Sequence, residues 1–486
     1  MSTPTAQLLR RRLAAIAAGA AAAALLATAS PAAAQGRAPA SSPGAGRAVS
    51  GGTWGTAIEV PGTAALNTVG LAYTSAMSCA SAGNCSAGGH YTDGAAFSSV
   101  FVASQVNGRW GTAKEVPGIA ALNTGGFADI YSASCASAGN CSAGGFYIDS
   151  SGHNQAFVVS QVNGRWGTAK EVPGTAALNT GGNAQIDSVS CAKAGDCSAG
   201  GFYTDSSSHG QGFVVSQVNG RWGTAKEVPG GGISSVSCAS AGNCSAGGGL
   251  DVVSQVNGKW GTAEQVPGLA ALNTGGLAGI DPIECTFTCD PAAGLLSCAS
   301  AGNCSAGGFY DDNTGRVQAF VVSQAGGRWA TAKEVAANLN TAAHAGAGIE
   351  SVSCASAGNC SAGGVYNLGA GQAFVVSEVN GRWDTAKEVP GTAALNTGGN
   401  AAVQSLSCAS AGNCSAGGYY TDNFRSPHAF VVSQVNGRWG TAKEVAANLR
   451  GPLIYSLSCA PAGNCSAGGG YTDSSGHQQA FVVSQT

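Results

Sequence analysis

Charged residues are scarce in this 486-residue chain, where Asp, Glu, Lys and Arg together make up 10% and the formal net charge is −3. No cluster of Lys and Arg occurs after the first 12 positions. Nucleic acids and anionic membranes are bound through such clusters, so the sequence argues against both as partners. Two further absences bear on the fold. No apolar run reaches the roughly 20 residues of a membrane span, and no segment repeats its apolar residues with a helical period.

The N-terminal segment has the parts of an export signal. Three arginines at positions 10–12 precede an apolar run over 13–26, and small residues suited to cleavage follow, so we interpret residues 1–34 as a signal peptide. An Ala-rich buried helix is the weaker interpretation, and the choice between the general and the twin-arginine export route stays open. Residues 35–52 are rich in Gly, Pro, Ser and Ala and predict a disordered linker. We expect residues 53–486 to be one domain.

One motif dominates the rest of the chain: two cysteines six positions apart, which recur eight times. The pairs are Cys79/Cys85, Cys135/Cys141, Cys191/Cys197, Cys238/Cys244, Cys298/Cys304, Cys354/Cys360, Cys408/Cys414 and Cys459/Cys465. Eight tryptophans keep the same order: Trp54, Trp110, Trp166, Trp222, Trp260, Trp329, Trp383 and Trp439. The first four are 56 residues apart, and the later spacings are 38, 69, 54 and 56. A repeat of about 50 residues cannot bury its faces alone, so it predicts a stacked array.

The third copy indicates how one repeat folds. Short segments at 188–191, 197–203 and 212–216 predict three strands, and 222–228, after an Asn-Gly tight turn, predicts a fourth. Four antiparallel strands in each of eight units, with no helical pattern, predict an all-β fold, an eight-bladed β-propeller. A solenoid of stacked hairpins is the structural alternative.

The two ends of the predicted ring fit together. Residues 53–61 match a fourth strand with no strands before it, and residues 480–486 match a third strand with no fourth strand after it. We therefore expect the N-terminal strand to complete the last blade, which removes the open edges of the ring.

The hairpin at the end of the third strand carries a resemblance to a known family. Its sequence from Ser160 to Trp166, SQVNGRW, is typical of the repeats and is similar to the Asp-box (BNR) repeat of sialidase-like propellers, which also lies before the fourth strand. Asn163-Gly164 stands where that family has Asp and Gly, but the aspartate is absent and the spacing is one residue shorter. The resemblance implies a propeller architecture and no activity. The chain also resembles secreted actinobacterial proteins with SVSC-type propeller repeats.

In an exported protein, the eight cysteine pairs predict disulfides that close the turn between the first and second strands. Cys285 and Cys289 form a ninth pair inside an insertion that only one repeat carries, and we expect them to staple that loop. Metal binding by the pairs is the alternative, although zinc sites prefer closer spacings with converging histidines. We predict no cofactor, and structural calcium stays open.

In the propeller order, the near-identical cysteine and Asn-Gly turns share one face, and the variable loops share the other. Function concentrates in variable loops on a rigid frame, so we predict a binding site on the second face. Its most repeated feature is a Tyr-x-Asp motif after the second strand: Tyr91/Asp93, Tyr147/Asp149, Tyr203/Asp205, Tyr310/Asp312, Tyr420/Asp422 and Tyr471/Asp473. An aromatic ring beside a carboxylate suits sugar recognition. The structural alternative packs the tyrosine between blades and uses the aspartate to start the loop turn.

A second candidate is the position four residues before the first cysteine of each pair, which breaks the template. It reads Ser75, Tyr131, Asp187, Ser234, Gly294, Glu350, Gln404 and Tyr455. In the innermost strand this position lies near the mouth of the central channel, so Tyr131, Asp187, Glu350 and Tyr455 are predicted ligand contacts. Ordinary channel lining is the alternative. Asp187 and Glu350 come from blades nearly opposite in the ring, too distant for the ~5–9.5 Å carboxylate pair of a glycosidase.

Three arginines and five histidines outside the repeated motifs fall on or near the same loops. Three arginines can clamp a carboxylate, as in sialidases. Arg316, Arg425 and Arg450 are not spread around the channel mouth, however, and we interpret them as surface charges. Metal binding across blades is the alternative for the histidines, which we interpret as exposed side chains: His90, His153, His209, His428 and His477.

These features predict a secreted, monomeric, non-enzymatic binding protein. We expect it to be lectin-like, with several weak sites for carbohydrate or another cell-surface ligand. Two alternatives stay open. One is a sialidase-like propeller glycoside hydrolase that uses Asp187, Glu350 and the extra arginines. The other is a scaffold subunit that docks a secreted protein through the Cys285–Cys289 loop or through the shortened fourth blade.

Overall fold

The computed structural model describes residues 52–94, 97–282, 294–341, 346–367, 370–461 and 463–485. The predicted signal peptide, residues 1–34, lies outside the described residues, as does all but the last residue of the predicted linker, 35–52. Cys285 and Cys289 lie outside them too. These interpretations stay predictions. In the described part of the chain, no helix has the length and apolar character needed to cross a membrane.

The described residues form eight antiparallel sheets, the blades of an eight-bladed β-propeller, which confirms the predicted fold. In seven blades the strands follow chain order, and in the eighth the outer strand comes from the start of the domain; we name the strands inner, second, third and outer. The inner strands of neighbouring blades contact one another around the ring. We number the blades from one to eight by their inner strands along the chain.

The inner strands are Ala72–Ser81, Ala128–Ser137, Ala184–Lys193, Ser235–Ser240, Ala278–Gly279 with Leu296–Ser300, Ala347–Ser356, Ala401–Ser410 and Arg450–Cys459. The second strands are Asn84–Thr92, Asn140–Ile148, Asp196–Thr204, Asn243–Gly248, Asn303–Asp311, Asn359–Tyr366, Asn413–Thr421 and Cys465–Thr472. The third strands are Ser98–Val106, Asn154–Val162, Gly210–Val218, Asp251–Val256, Val317–Ala325, Gln372–Val379, Pro427–Val435 and Gln478–Ser484.

The outer strand departs from the prediction of one continuous strand, because it consists of two short segments that both pair with the third strand. The first segments are Arg109–Trp110, Arg165–Trp166, Arg221–Trp222, Lys259–Trp260, Arg328–Trp329, Arg382–Trp383 and Arg438–Trp439. The second segments are Lys114–Glu115, Lys170–Glu171, Lys226–Val228, Glu264–Gln265, Lys333–Glu334, Lys387–Glu388 and Lys443–Val445. In the break of blade one, the Gly111 N–H still donates to the Ser104 carbonyl at 2.9 Å, so the chain stays attached to its neighbour.

The structure also contains five single-turn helices that the sequence pattern did not predict. They are Thr63–Leu66, Ile119–Leu122, Thr175–Leu178, Leu269–Leu272 and Thr392–Leu395. Each begins after the glycine of a Pro-Gly pair, which takes a positive φ of 78–90° that other residues rarely adopt. The asparagine that follows the helix ties it to a third strand. Asn179, for example, donates to the Asn154 carbonyl at 3.0 Å.

The N-terminal strand closes the ring, as predicted. Ile58–Glu59 is the outer strand of blade eight and pairs antiparallel with Gln478–Ser484, with Ile58 opposite Val482. An isolated bridge between Trp54 and Gln485 extends this pairing. The seam between the two chain ends is therefore a sheet of the same kind as the other seven, and the described strands leave no open edge there.

A Gly-Gly pair in each second strand allows the blades to pack closely. In blade two, a Cβ atom on Gly145 would lie only 1.9 Å from the Asp129 carbonyl oxygen of the inner strand. A Cβ atom on Gly144 would lie 2.7 Å from the Ile186 side chain of blade three. One glycine therefore admits the bulged inner strand, and the other admits the apolar side chain of the next blade.

All eight predicted cysteine pairs form disulfides, which confirms the hairpin staples. The bonds are Cys79–Cys85, Cys135–Cys141, Cys191–Cys197, Cys238–Cys244, Cys298–Cys304, Cys354–Cys360, Cys408–Cys414 and Cys459–Cys465. The two cysteines of a pair lie directly opposite each other in the inner and second strands, as Cys191 and Cys197 do. Their Cα atoms are 3.9–4.0 Å apart.

The second-strand cysteine of each disulfide is buried against the preceding blade. These residues are Cys85, Cys141, Cys197, Cys244, Cys304, Cys360, Cys414 and Cys465. In blade three, for example, Cys197 Sγ lies 3.5 Å from Ser142 Oγ of blade two. The cysteines of the eight pairs are therefore part of the frame: bonded to each other, they leave no free thiolate to bind a metal ion.

A serine in the third strand links each of several blades to the next. Ser160 accepts hydrogen bonds from Gln217 Nε2 at 2.9 Å and from Trp222 Nε1 at 3.3 Å, both in the following blade. It also contacts Ser142 of its own second strand at 2.9 Å. We call this arrangement the serine clasp, and it explains why Gln recurs with the repeat. The tryptophan bond is made by Trp222, Trp260, Trp383 and Trp439 but not by Trp110, Trp166 or Trp329.

Candidate functional site

The blades present two faces of different character. On one, the cysteine turn contacts the Asn-Gly turn: Gly108 N–H donates to the Gly83 carbonyl at 2.8 Å, and Asn107 N–H donates to Asn84 Oδ1 at 3.2 Å. We call this the cysteine face. On the other, the loop face, the single-turn helices meet the loops between second and third strands, as the Asn123 Nδ2 bond to the Ser98 carbonyl at 2.9 Å illustrates. The predicted division of the turns between faces is confirmed.

The tyrosines of the Tyr-x-Asp motif lie at the loop-face end of the second strand, and most of them are buried. The Tyr91 hydroxyl donates to Glu115 of the outer strand at 2.6 Å, and in blade eight Tyr471 donates to Glu59 at 3.0 Å. Burial, together with the neighbouring Glu227 carboxylate, raises the pKa of Tyr203 to about 12. These tyrosines thus join the second strand to the outer strand.

The aspartates of the motif organise the loops that follow them. Asp149 Oδ1 accepts from the Ser151 and His153 backbone N–H groups at 2.8 and 3.0 Å, and its Oδ2 accepts from Gln155 at 2.9 Å. The backbone part of this pattern recurs in four other blades, at Asp205, Asp312, Asp422 and Asp473. Although partial burial opposes the change, hydrogen bonds lower the pKa of Asp312 to about 2.

Asp93 of blade one holds its loop in a related way. Its Oδ1 accepts from the Phe97 backbone N–H at 3.2 Å, and its own backbone N–H donates to the Phe97 carbonyl at 2.9 Å. The third-strand residue two positions farther on is Ser99, whose hydroxyl donates to Glu115 at 3.2 Å. Blade one therefore lacks the glutamine that bonds to the aspartate in blade two. Ligand binding by the motif, Asp93 included, stays a prediction. The side chains that would bind the ligand already form hydrogen bonds to other residues of the chain.

The template-breaking position lies in the inner strand, close to its loop-face end. In six blades it is the extra residue of a β-bulge; Tyr131, for example, falls between the paired residues Ile130 and Ser132. The six are Ser75, Tyr131, Asp187, Glu350, Gln404 and Tyr455. A bulge turns a side chain away from the regular alternation of the strand.

A cluster across blades eight, one and two includes side chains that the sequence analysis missed. The Tyr73 hydroxyl donates to Asp129 Oδ2 at 2.9 Å, and His90 Nδ1 lies 3.0 Å from the same oxygen. The ring centroids of Tyr73 and His90 are 3.9 Å apart, and those of Tyr73 and Tyr455 are 5.5 Å apart. Three blades therefore contribute to one group of aromatic and acidic side chains.

The aromatic contacts continue into blade two. The His90 and Phe127 ring centroids are 6.2 Å apart, those of Phe127 and Phe146 are 5.6 Å apart, and those of Phe146 and Tyr131 are 5.5 Å apart. We call this series of rings the aromatic arc: Tyr455, Tyr73, His90, Phe127, Phe146 and Tyr131. The predicted contacts Tyr131 and Tyr455 are its two ends.

The interpretation of His90 as an exposed loop residue is wrong. It lies in the second strand of blade one and is 2% exposed. Within the described chain, His90 Nε2 and Asp129 Oδ1 are buried without a hydrogen-bond partner. Phe146 occupies the corresponding position in blade two. The sequence could therefore have indicated this site, because blade one has a histidine where blade two has a buried phenylalanine.

A pair of carboxylates lies beyond the arc. Gln185 Nε2 donates to Asp187 Oδ1, and the Ser234 hydroxyl donates to Asp281 Oδ1. Burial, and to a lesser extent the Asp281 charge, raise the pKa of Asp187 to about 8 although the Gln185 bond opposes them. Asp187 is therefore mostly protonated at neutral pH. The sequence pattern predicts a role for Asp187 together with Glu350, a buried residue of blade six, and none for Asp281.

The remaining candidates form no common site. Arg316 and Arg425 lie in loops between second and third strands, and Arg450 begins the inner strand of blade eight. Their positions fit the interpretation as surface charges. In the described part of the chain, no group of three or more His, Cys, Asp or Glu side chains is arranged to hold a metal ion.

Comparisons with known proteins identify no family for this chain. No family model and no curated protein matches it. Among solved structures, it is similar to a subtype N11 neuraminidase-like protein of A/flat-faced bat/Peru, with 12% identity over 61% of this chain and 86% of that chain and a TM-score of 0.33. A protein of unknown function from Dyadobacter fermentans has 10% identity over 90% of this chain and 99% of that chain, with a TM-score of 0.37. Likenesses of this degree add no argument about function.

Proposed function

We propose that this protein is an extracellular, non-enzymatic carbohydrate-binding propeller whose principal site is the aromatic arc. The observation that carries the proposal is the arc itself, six rings from three blades beside the Asp129 carboxylate. Binding sites for small organic ligands are lined mainly by aromatic and apolar side chains with a few polar groups. The eight disulfides support an extracellular location, because such bonds persist in oxidising compartments.

Carbohydrate suits this chemistry better than a wholly apolar ligand. Ring faces cover the C–H groups of a sugar, while its hydroxyls need hydrogen-bond partners. His90 Nε2 and Asp129 Oδ1 are buried without a hydrogen-bond partner among the described residues, and a sugar hydroxyl that reaches them would supply one. Protonated Asp187 adds a donor in the neighbouring blade.

The arc also changes the expected number of sites. The Tyr-x-Asp motifs would give several weak sites, one for each blade that carries the motif. Their tyrosines and aspartates already bond to Glu59, Glu115 and the loop backbones. The arc occurs once in the described chain, so we expect one dominant site for each molecule.

Glycan arrays with the protein lacking residues 1–34 test this proposal, followed by calorimetry on any glycan retained. Phe127, which is 36% exposed, is the residue to change, and Phe424, an 82% exposed phenylalanine of the loop face outside the arc, is the matched control. We expect Phe127→Ala to weaken binding about tenfold and Phe424→Ala to leave it unchanged, with one glycan bound per chain.

Retention of no glycan at high micromolar concentration would overturn the carbohydrate proposal. Equal loss with both phenylalanine variants would overturn the placement at the arc, and several equivalent sites per chain would favour the Tyr-x-Asp motifs. Release of sugar from a panel of fluorogenic glycosides would show that the protein is a glycoside hydrolase and not a non-enzymatic binding protein.

A further inference from the structure

The fold brings seven basic side chains of the repeated hairpin to the cysteine face. They are Arg109, Arg165, Arg221, Lys259, Arg328, Arg382 and Arg438. All seven are exposed. No hydrogen bond or ion pair holds any of their side chains within the described residues. In the sequence they are 38 to 69 residues apart, which is why no basic cluster is visible there.

An exposed valine accompanies most of these basic residues. Val106 pairs across the strands with Arg109, and Val162 pairs with Arg165. Five such valines have exposed fractions of 57–60%: Val106, Val162, Val218, Val256 and Val379. Each of these hairpin tips therefore presents an apolar side chain beside a positive charge, and the circular arrangement of the blades repeats this pair around one face.

The carboxylates near these turns do not neutralise the face. Asp196 pairs with Lys193 at 3.5 Å, Asp384 pairs with Lys387 at 3.4 Å, and Glu378 is buried. The aspartates that organise the variable loops all lie at the opposite face, as Asp149 and Asp473 do. A chain with a net negative charge thus has one predominantly positive face.

We propose that the cysteine face docks on the surface of an anionic lipid bilayer. Several basic groups on one side of a rigid ring can meet a planar negative surface together, and each contributes about fivefold to affinity. The valines favour a bilayer over a soluble polyanion, because only the bilayer offers an apolar layer below its charged groups. In this orientation the aromatic arc, on the loop face, points away from the membrane. The sequence argued against anionic membranes as partners because it contains no cluster of basic residues. The fold brings basic residues that are distant in the sequence to one face.

Co-sedimentation with vesicles tests the proposal, using the protein without residues 1–34. We expect binding to vesicles of phosphatidylcholine and phosphatidylglycerol in equal parts, weakening as salt rises, and none to pure phosphatidylcholine. A variant with Arg109→Gln, Arg165→Gln and Arg221→Gln should bind at least tenfold more weakly. A matched loop-face variant with Arg316→Gln and Arg425→Gln should bind like the unmodified protein.

The valines separate a bilayer from other anionic partners. Val106→Ser, Val162→Ser and Val218→Ser together should weaken vesicle binding and leave its salt dependence unchanged. The proposal would be overturned in favour of a linear polyanion if the protein bound soluble polyphosphate as tightly as vesicles and the valine changes had no effect on either affinity. Failure to bind anionic vesicles at low salt, or equal loss in the two arginine variants, would also overturn it. Unfolding temperatures of all variants show that the surface changes leave the fold intact.

Discussion

Replacing Asp187 with asparagine should stabilise the protein at high pH and not at low pH. The carboxyl has an ordinary pKa of 3.8 and a folded pKa of about 8, raised mainly by burial. Between these values the folded protein keeps a proton that the unfolded chain has released, so stability falls as pH rises through this window. Asparagine does not titrate, and Asp187→Asn removes this loss.

The structure sets the size of the effect. One pKa unit corresponds to about 1.4 kcal/mol, which gives an upper limit of about 6 kcal/mol for the full shift. Water and side-chain movement reduce such penalties in real interiors, so we expect about half of the limit, ~3 kcal/mol, above about pH 8. For a domain of this size, that corresponds to a rise of roughly 3–6 °C in unfolding temperature.

Calorimetry at about pH 4 and about pH 9, with disulfides intact, measures the difference between Asp187→Asn and the unmodified protein. A difference that stays constant between the two pH values would refute the reasoning. Asp312→Asn is a control of opposite sign. Hydrogen bonds lower the pKa of Asp312 to about 2, so the stability it contributes is present above its ordinary pKa and lost as pH falls. Its replacement should therefore cost stability at neutral pH and very little near about pH 2.

Three further predictions concern the frame and are checked by unfolding temperature. Gly145→Ala, whose Cβ would lie 1.9 Å from a backbone carbonyl, should cost about 3 kcal/mol or more, whereas Gly210→Ala, with no atom within 4 Å, should be nearly neutral. Burial raises the pKa of Glu378, so Glu378→Gln, which restores the glutamine of the other blades, should stabilise the protein more as pH rises; a benefit independent of pH would contradict this. Ser160→Ala removes the acceptor of two hydrogen bonds from the next blade and should cost about 1–3 kcal/mol; an unchanged unfolding temperature would show that the serine clasp is dispensable.

The frame was predictable because the sequence features that specify it recur in every repeat. The hairpin disulfide, the division of turns between faces and the closure by Ile58–Glu59 all follow from residue types at fixed spacing. The single-turn helices were not predictable, since four residues such as Thr175–Leu178 are too short to show a helical period. The break in the outer strand was also missed, although the segment 222–228 contains Gly223, and a glycine weakens a strand.

The candidate site was only partly predictable, because its residues meet through space. Tyr73, His90 and Asp129 come from two blades and three strands, and their contact depends on how neighbouring blades pack. The position of the Tyr-x-Asp motif after the second strand predicted that its tyrosines and aspartates lie at the same end of each blade, as the structure shows. It could not indicate that a glutamate of the outer strand, such as Glu115, would bond to the tyrosine hydroxyl.

The hairpin disulfides have a consequence for how such a chain can evolve. Every cross-link in the described chain closes within one blade. At six junctions a glutamine donates to a third-strand serine of the preceding blade, and at a seventh Glu378 accepts from Ser323 instead. Duplication or deletion of one whole repeat would break none of the eight hairpin disulfides, and a glutamine and a serine would still meet at most junctions. We expect recombination between near-identical repeats to produce rings with other numbers of blades. Only those rings would persist in which the N-terminal strand, Ile58–Glu59, can still pair with the third strand of the last blade.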